Sequence, residues 1–301
     1  MKYQEFVEKV VEELKKYYGG DAEVTLNKVT CNNDGHRDAV FIKLSENEKI
    51  CPTIYLDNIY ERYSEEKREF DYYVQMIIQM RNGTVPDDVI ENVDRLMNWE
   101  TIKDSVYPVL LSTAGNEEYL SQYVSKPFLD LSIIYEVRLS EGSSGTANCK
   151  IPNSLLNNYG ITRDELHEQA IANMKNDGYK MEDLLEKLYG RFAGECDLSE
   201  EEIALEKGKM YILTNRNMTH GAACLLYEDF LKENLGDTTA FILPSSIHES
   251  IFVPVEDGMS AEEFDAMICA VNELAVEPSI RLSNHCYLWD GKKQKVTMVA
   301  A

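Results

Sequence analysis

Residues 209–256, KMYILTNRNMTHGAACLLYEDFLKENLGDTTAFILPSSIHESIFVPVE, restrict the fold of this chain more than any other stretch. Met210–Thr214, Thr239–Leu243 and Ser250–Val255 have the β-branched, apolar character of strands. Between the first two, Thr219 is placed to cap a helix whose inward face is Ala223, Leu226, Tyr227, Phe230 and Leu231. Pro244-Ser245-Ser246 separates the last two. Strand, helix, strand, turn and strand in so short a run require a mixed α+β arrangement, with helices packed on mostly antiparallel or mixed sheets. The same run puts Asn215, Asn217, His220, Ser245, Ser246, His248 and Glu249 at element ends, where functional residues concentrate.

The rest of the chain follows the same alternation. Tyr3, Phe6, Val7, Val10, Leu14 and Tyr17 recur at helical spacing until Gly19-Gly20 stops the helix. Ala22–Thr30, Ala39–Leu44 and Ile50–Tyr55 read as strands, with turns at Asn32–Gly35 and Ser45–Asn47. Asp57 opens a helical region to about Met80 that breaks near Ser64, and Pro86 with Asp87-Asp88 starts another toward Trp99. Val106–Leu111 and Phe128–Leu139 are strand candidates around a short helix at Asn116–Tyr123, and Thr146–Ile151 returns after the turn SEGSSG. Thr162 with Glu165 and Ser260 with Glu263 have capping-box spacing. Met181–Lys209 is the most polar stretch, expected as a short helix and an exposed connector. The end reads as a hairpin about Asp290-Gly291. Two lobes are expected, residues 1–157 and 158–301.

A formal charge of −23, from 30 basic against 53 acidic residues, repels nucleic-acid backbones and anionic lipid. Direct binding to either is therefore not expected. Such acidity serves either solubility or a basic partner. The N-terminus lacks the continuous apolar core of a secretion signal, and no run is long enough to span a membrane. The seven scattered cysteines form no CxxC pair and suit reduced thiols, so a cytoplasmic protein is expected.

No motif names a reaction. Ser245, Ser246 and His248 could form a hydrolytic relay with Glu249, yet neighbours in sequence point apart, and a turn role suits both serines equally. G-x-S-x-G and S-x-x-K are missing. Cys224, near His220, is either a thiolate at a helix start or a packed apolar residue. The five histidines have no metal-ligand spacing, and no phosphate-binding glycine motif occurs. Neither a metal nor another cofactor is expected.

CPTIYLDNIYERY (51–63), PFLDLSIIYEV (127–137), ITRDELHEQAIANM (161–174), MYILTNRNMTHGAACLLY (210–227) and FILPSSIHESIFVP (241–254) carry a family resemblance. On these runs the chain resembles an uncharacterised domain-of-unknown-function family of gut Firmicutes and their mobile elements. From 161 onward it is also distantly similar to a YtpQ-like bacterial family. The resemblance implies no activity and no site residues. The residues themselves leave three readings. The first is an acidic cytosolic binding protein without catalysis, engaging a basic protein or a small molecule. The second is a hydrolase-type enzyme with its site at Asn215, His220, Ser245 and His248. The third is a nucleic-acid mimic, with carboxylates gathered on one face to occupy a basic protein.

Overall fold

A computed structural model describes residues 1–33, 35–83, 90, 93–142, 145–191 and 207–299. The chain is an α+β protein of two compact units, Met1–Arg95 and Leu96–Ala301. The division falls well before the residue 157 boundary expected from the sequence. The reason is packing: strands from 106 onward share one apolar core with residues as far on as Trp289 and Val296.

In the first unit, helix α1 (Tyr3–Tyr18) buries Phe6, Val7, Val10 and Leu14, as its spacing requires. Tyr17 lies off that face and is exposed. Gly19, at φ 68°, ends the helix and returns its N–H to the Lys15 carbonyl. Strands β1 (Glu23–Cys31), β2 (Gly35–Lys43) and β3 (Ile54–Tyr55) form an antiparallel sheet in that order. β2 begins at Gly35, four residues before the expected Ala39, so His36-Arg37-Asp38 lie in the strand, and the third strand is only two residues long. The expected helical region divides into α2 (Leu56–Glu66) and α3 (Phe70–Arg81), with Lys67 left-handed at φ 50° between them. Tyr60, Tyr63, Phe70 and Phe6 pack ring to ring, so these tyrosines serve the core. The helix expected from Pro86 falls largely outside the described residues.

In the second unit, β6 (Leu131–Gly142) is the centre of a sheet with β4 (Val106–Ser112) on one side. On its other side lie β5 (Ser125–Phe128) and β7 (Gly145–Lys150). A second antiparallel sheet runs β13-β12-β10-β11-β9-β8. Its strands are β8 (Tyr179–Asp183), β9 (Tyr211–Asn215), β10 (Ala240–Ser246), β11 (Glu249–Pro254), β12 (Tyr287–Asp290) and β13 (Lys295–Met298). Helix α4 (Arg163–Lys175) opens on the Thr162/Glu165 capping box and packs on β4 through Leu166 and Ala170. The terminal hairpin turns at Asp290, as expected. Met181–Asp183 belong to strand β8 and Leu184–Arg191 to a helix, so the polar stretch is more ordered at its start than its composition implies. Its remainder, including Glu200-Glu201-Glu202, lies outside the described residues. No helix among the described residues is long and apolar enough to cross a membrane.

Two further expectations change around residues 215–250. β10 continues through Pro244-Ser245-Ser246, with a register shift between Leu243 and Ser246, and the chain turns at Ile247-His248. The helix expected from Thr219 is instead a 3-10 segment, Gly221–Leu226, followed by helix α5 (Glu228–Leu235). Thr219 caps neither; its hydroxyl donates to the Asn217 carbonyl at 3.2 Å.

Candidate functional site

Asn215 ends β9 and clasps the loop that follows. Its Oδ1 accepts from the Thr219 N–H at 3.1 Å, and its Nδ2 donates to the Thr219 carbonyl at 2.7 Å. The clasp folds four residues back so tightly that Met218 and His220 both adopt left-handed backbone, at φ 52° and 54°. Such geometry costs a non-glycine residue about 1 kcal/mol or more, so surrounding contacts must hold it. Gly221 comes next because nothing larger fits: a Cβ there would lie 2.4 Å from both the His248 carbonyl and the Thr214 hydroxyl.

This turn delivers His220 to two partners. Its Nδ1 lies 3.0 Å from Oε2 of Glu136, on β6. Its backbone N–H donates to Nδ1 of His248 at 3.1 Å. The two imidazoles stack, 5.5 Å between centroids and 12° from parallel. His248 is fixed in its turn because the Thr214 hydroxyl donates to its carbonyl at 2.8 Å, and its N–H donates to Ser246 Oγ at 3.0 Å.

These partners assign opposite tautomers to the two rings, since the bond at one ring nitrogen decides where the proton sits. His248 accepts at Nδ1, so in its neutral form the proton is on Nε2. His220 faces a carboxylate at Nδ1, so in its neutral form the proton is there and Nε2 carries a lone pair. One ring thus offers a base and its neighbour a donor. Burial holds the His248 imidazole below its ordinary value, with His220 adding to the effect and Glu136 opposing it.

Glu136 is almost wholly buried. Burial alone pushes its carboxyl up, but hydrogen bonds and charge from His220 and Lys150 outweigh this and bring it below the ordinary value. Lys150, opposite on β7, lies 3.6 Å from Oε1. Two residues on and on the same strand face, Arg138 grips Asp177 through both oxygens, at 2.7 and 3.0 Å. The Arg138 guanidinium also lies over the Tyr107 ring, 3.8 Å from its centroid. Asp177 accepts from Asn215 Nδ2 at 3.4 Å, which ties the Arg138 pair to the loop that carries His220.

Glu136, Arg138, Asp177, Tyr107, Asn215 and His220 line a narrow cleft with about 20 Å³ of space open to water, room for a single molecule. Of the four residues singled out in the sequence, the structure brings Asn215, His220 and His248 together. Ser245 is not joined to them; its hydroxyl donates to Glu249 Oε1 at 3.4 Å. Cys224 is fully buried and burial pushes its thiol up strongly, so it packs as an apolar residue. Sequence reading missed Glu136, Arg138, Lys150 and Asp177. For the first two a signal existed: opposite charges two apart inside the otherwise apolar run Leu131–Leu139. Asp177 carried none, being one of many acidic residues near a helix end. Among the described residues, no three His, Cys, Asp or Glu side chains group as metal ligands do.

A family profile described as a family of unknown function, DUF5688, matches residues 3–291. The chain belongs to DUF5688. That DUF5688 match spans both units and every residue of the cleft. No curated protein matches the chain, and no solved structure does.

Proposed function

We propose that the second unit carries a hydrolase-type site in which His220 activates the one water that the cleft admits against an ester or amide presented at the cleft mouth. The observation behind this reading is the pair of stacked imidazoles, one facing a buried carboxylate at Nδ1 and the other accepting a backbone N–H at Nδ1. In the proposed reaction, Nε2 of His220 takes a proton from water as the water oxygen bonds to the electrophilic carbon. The same proton then passes to the leaving group as its bond to that carbon breaks. Glu136 stabilises the imidazolium formed between these steps, as a carboxylate does for histidine in acyl-transfer sites. His248, with its proton on Nε2 when neutral, is the donor this reading assigns to developing negative charge. Arg138, tied to Asp177 and Tyr107, serves as a fixed wall. A cytoplasmic location accompanies this proposal, in keeping with the six described cysteines being free.

The test is turnover of a panel of p-nitrophenyl and 4-methylumbelliferyl esters by the full chain. His220→Gln and Glu136→Gln should each lower kcat/KM by roughly 100-fold or more. Activity unchanged in His220→Gln would refute the role. A second reading, binding without catalysis, draws on one feature: the charges lining the cleft already neutralise one another, Arg138 with Asp177 and Glu136 with Lys150. It expects a small polar ligand to raise the melting temperature while no turnover occurs.

A further inference from the structure

Helix α6 (Ala261–Leu274) starts on Ser260, whose hydroxyl accepts the Glu263 N–H at 3.4 Å. Its inner face packs Ile268, with Phe264 beside it, against Phe241, Leu243 and Cys286. Its outer face is not polar, as the solvent side of a surface helix should be. Met267, Val271 and Leu274 are 54%, 48% and 87% exposed, at positions i, i+4 and i+7. Ala270 is exposed within the same stripe. Isolated exposed apolar residues need no explanation, but a continuous stripe at helical spacing does.

The charged residues on the helix are all acidic; one cation, Arg281, lies just past its end, where its Nε donates to the Val276 carbonyl at 2.9 Å. Between residues 251 and 280 there are seven carboxylates and no Lys or Arg. Glu262, Glu263, Glu273 and Glu277 are exposed. Asp265 is differently employed, accepting the Cys286 N–H at 2.7 Å and facing His285 Nδ1 at 3.4 Å. A second copy of this chain would bring the same carboxylates to the same place, against a formal charge of −23 on each.

We propose that the outer face of α6 is a docking surface for an amphipathic helix of another protein, one that sets Lys or Arg beside its own apolar stripe. Spacing and charge specify this occupant together. The seven-residue interval from Met267 to Leu274 is that of a helix–helix seam. The flanking carboxylates select a basic partner and exclude acidic ones. The stripe covers about two helical turns, so binding is weak to moderate and depends on a few apolar anchors. This proposal stands independently of any chemistry in the His220 cleft.

The test uses the full chain and a fluorescein-labelled peptide of about 18 residues, long enough to form a helix on docking. Leu occupies its heptad seam and Lys the flanks. A control peptide keeps the Leu positions and replaces every Lys with Glu. Fluorescence anisotropy should show saturable binding of the Lys peptide and none of the Glu peptide. Raising NaCl from about 0.05 to 0.5 M should weaken binding roughly tenfold. The double variant Val271→Ser/Leu274→Ser should also weaken it about tenfold or more, with an unchanged melting temperature because both side chains are exposed. Absence of binding at about 1 mM peptide, a limit set by the weakest specific contacts, overturns the proposal. So does equal binding of the Glu peptide, or affinity unaffected by the double variant. Sedimentation that finds a dimer dispersed by the double variant assigns the face to a second copy instead.

Discussion

Gly221→Ala tests how tightly the histidine turn is built. The backbone at Gly221 is not left-handed, so the substitution acts through space alone. The new Cβ would stand 2.4 Å from the His248 carbonyl oxygen, 2.4 Å from Thr214 Oγ1 and 2.8 Å from the Asn215 nitrogen, against 3.4 Å or more for ordinary contact. The first two atoms therefore have to retreat by about 1 Å, a displacement of the size that costs overpacked interiors about 1–3 kcal/mol. They are hydrogen-bonded to each other at 2.8 Å, and losing that bond adds about 1 kcal/mol. Alanine restricts the unfolded chain and returns about 0.5–1 kcal/mol. The net expectation is a loss of about 1–3.5 kcal/mol, which lowers the melting temperature of a unit this size by roughly 2–14 °C. Tryptophan fluorescence is the assay, because Trp99 and Trp289 are the chain's two tryptophans and both lie in Leu96–Ala301. A second readout is the ring signals of His220 and His248, which should shift together as the 3.1 Å contact lengthens. A melting temperature within about 2 °C of the parent, below the shift expected for even 1 kcal/mol, would show that this close approach is not a constraint.

Glu136→Ala leaves the His220 Nδ1–H without its acceptor, while half-exposed Lys150 turns to water. The unit should lose about 2–3 kcal/mol in urea titrations, and a loss under 0.5 kcal/mol contradicts the buried pair. Because the folded Glu136 carboxyl lies below its ordinary 4.5, its contribution is complete above that pH and disappears as pH falls through the lowered value. The parent should consequently lose stability faster than Glu136→Ala on acidification below pH 4.5. His248 is likewise lowered from 6.5, so the unfolded chain takes up its proton first and stability declines as pH falls below 6.5. In His248→Gln that limb should flatten; an unchanged slope from pH 6.5 downward would mean that another group titrates there. Asn215→Ala removes both ends of the loop clasp and should cost about 1–3 kcal/mol, with faster amide exchange at Thr219 as the local sign. Cys224 should resist alkylation in the folded protein and react only after unfolding, as peptide mass mapping would report; labelling under native conditions contradicts its burial.

Much of the framework was legible from residue order. The α1 stripe, both helix starts at Thr162 and Ser260, and the hairpin at Asp290 depend on interactions within a few residues. Segments failed where a distant contact overrode the local signal. Thr219 has the identity of a cap, but Asn215 takes its backbone groups and the chain enters a 3-10 segment through left-handed His220. Pro244-Ser245-Ser246 has the composition of a turn, but pairing with β11 carries the strand through and moves the turn to Ile247-His248. The 157 boundary failed for the same reason, since both sheets of the second unit share one core.

By itself, the sequence determined the α+β class, the net negative charge and most element positions, and it singled out Asn215, His220 and His248 as candidates. Each follows from composition or from spacing along a single strand or helix. Only the tertiary structure decided what those histidines face. Glu136 lies 84 positions before His220, by the numbering, yet stands 3.0 Å from it. Contacts between strands far apart in sequence are set by sheet register and core packing. Those are properties of the assembled fold and leave no local trace in either segment.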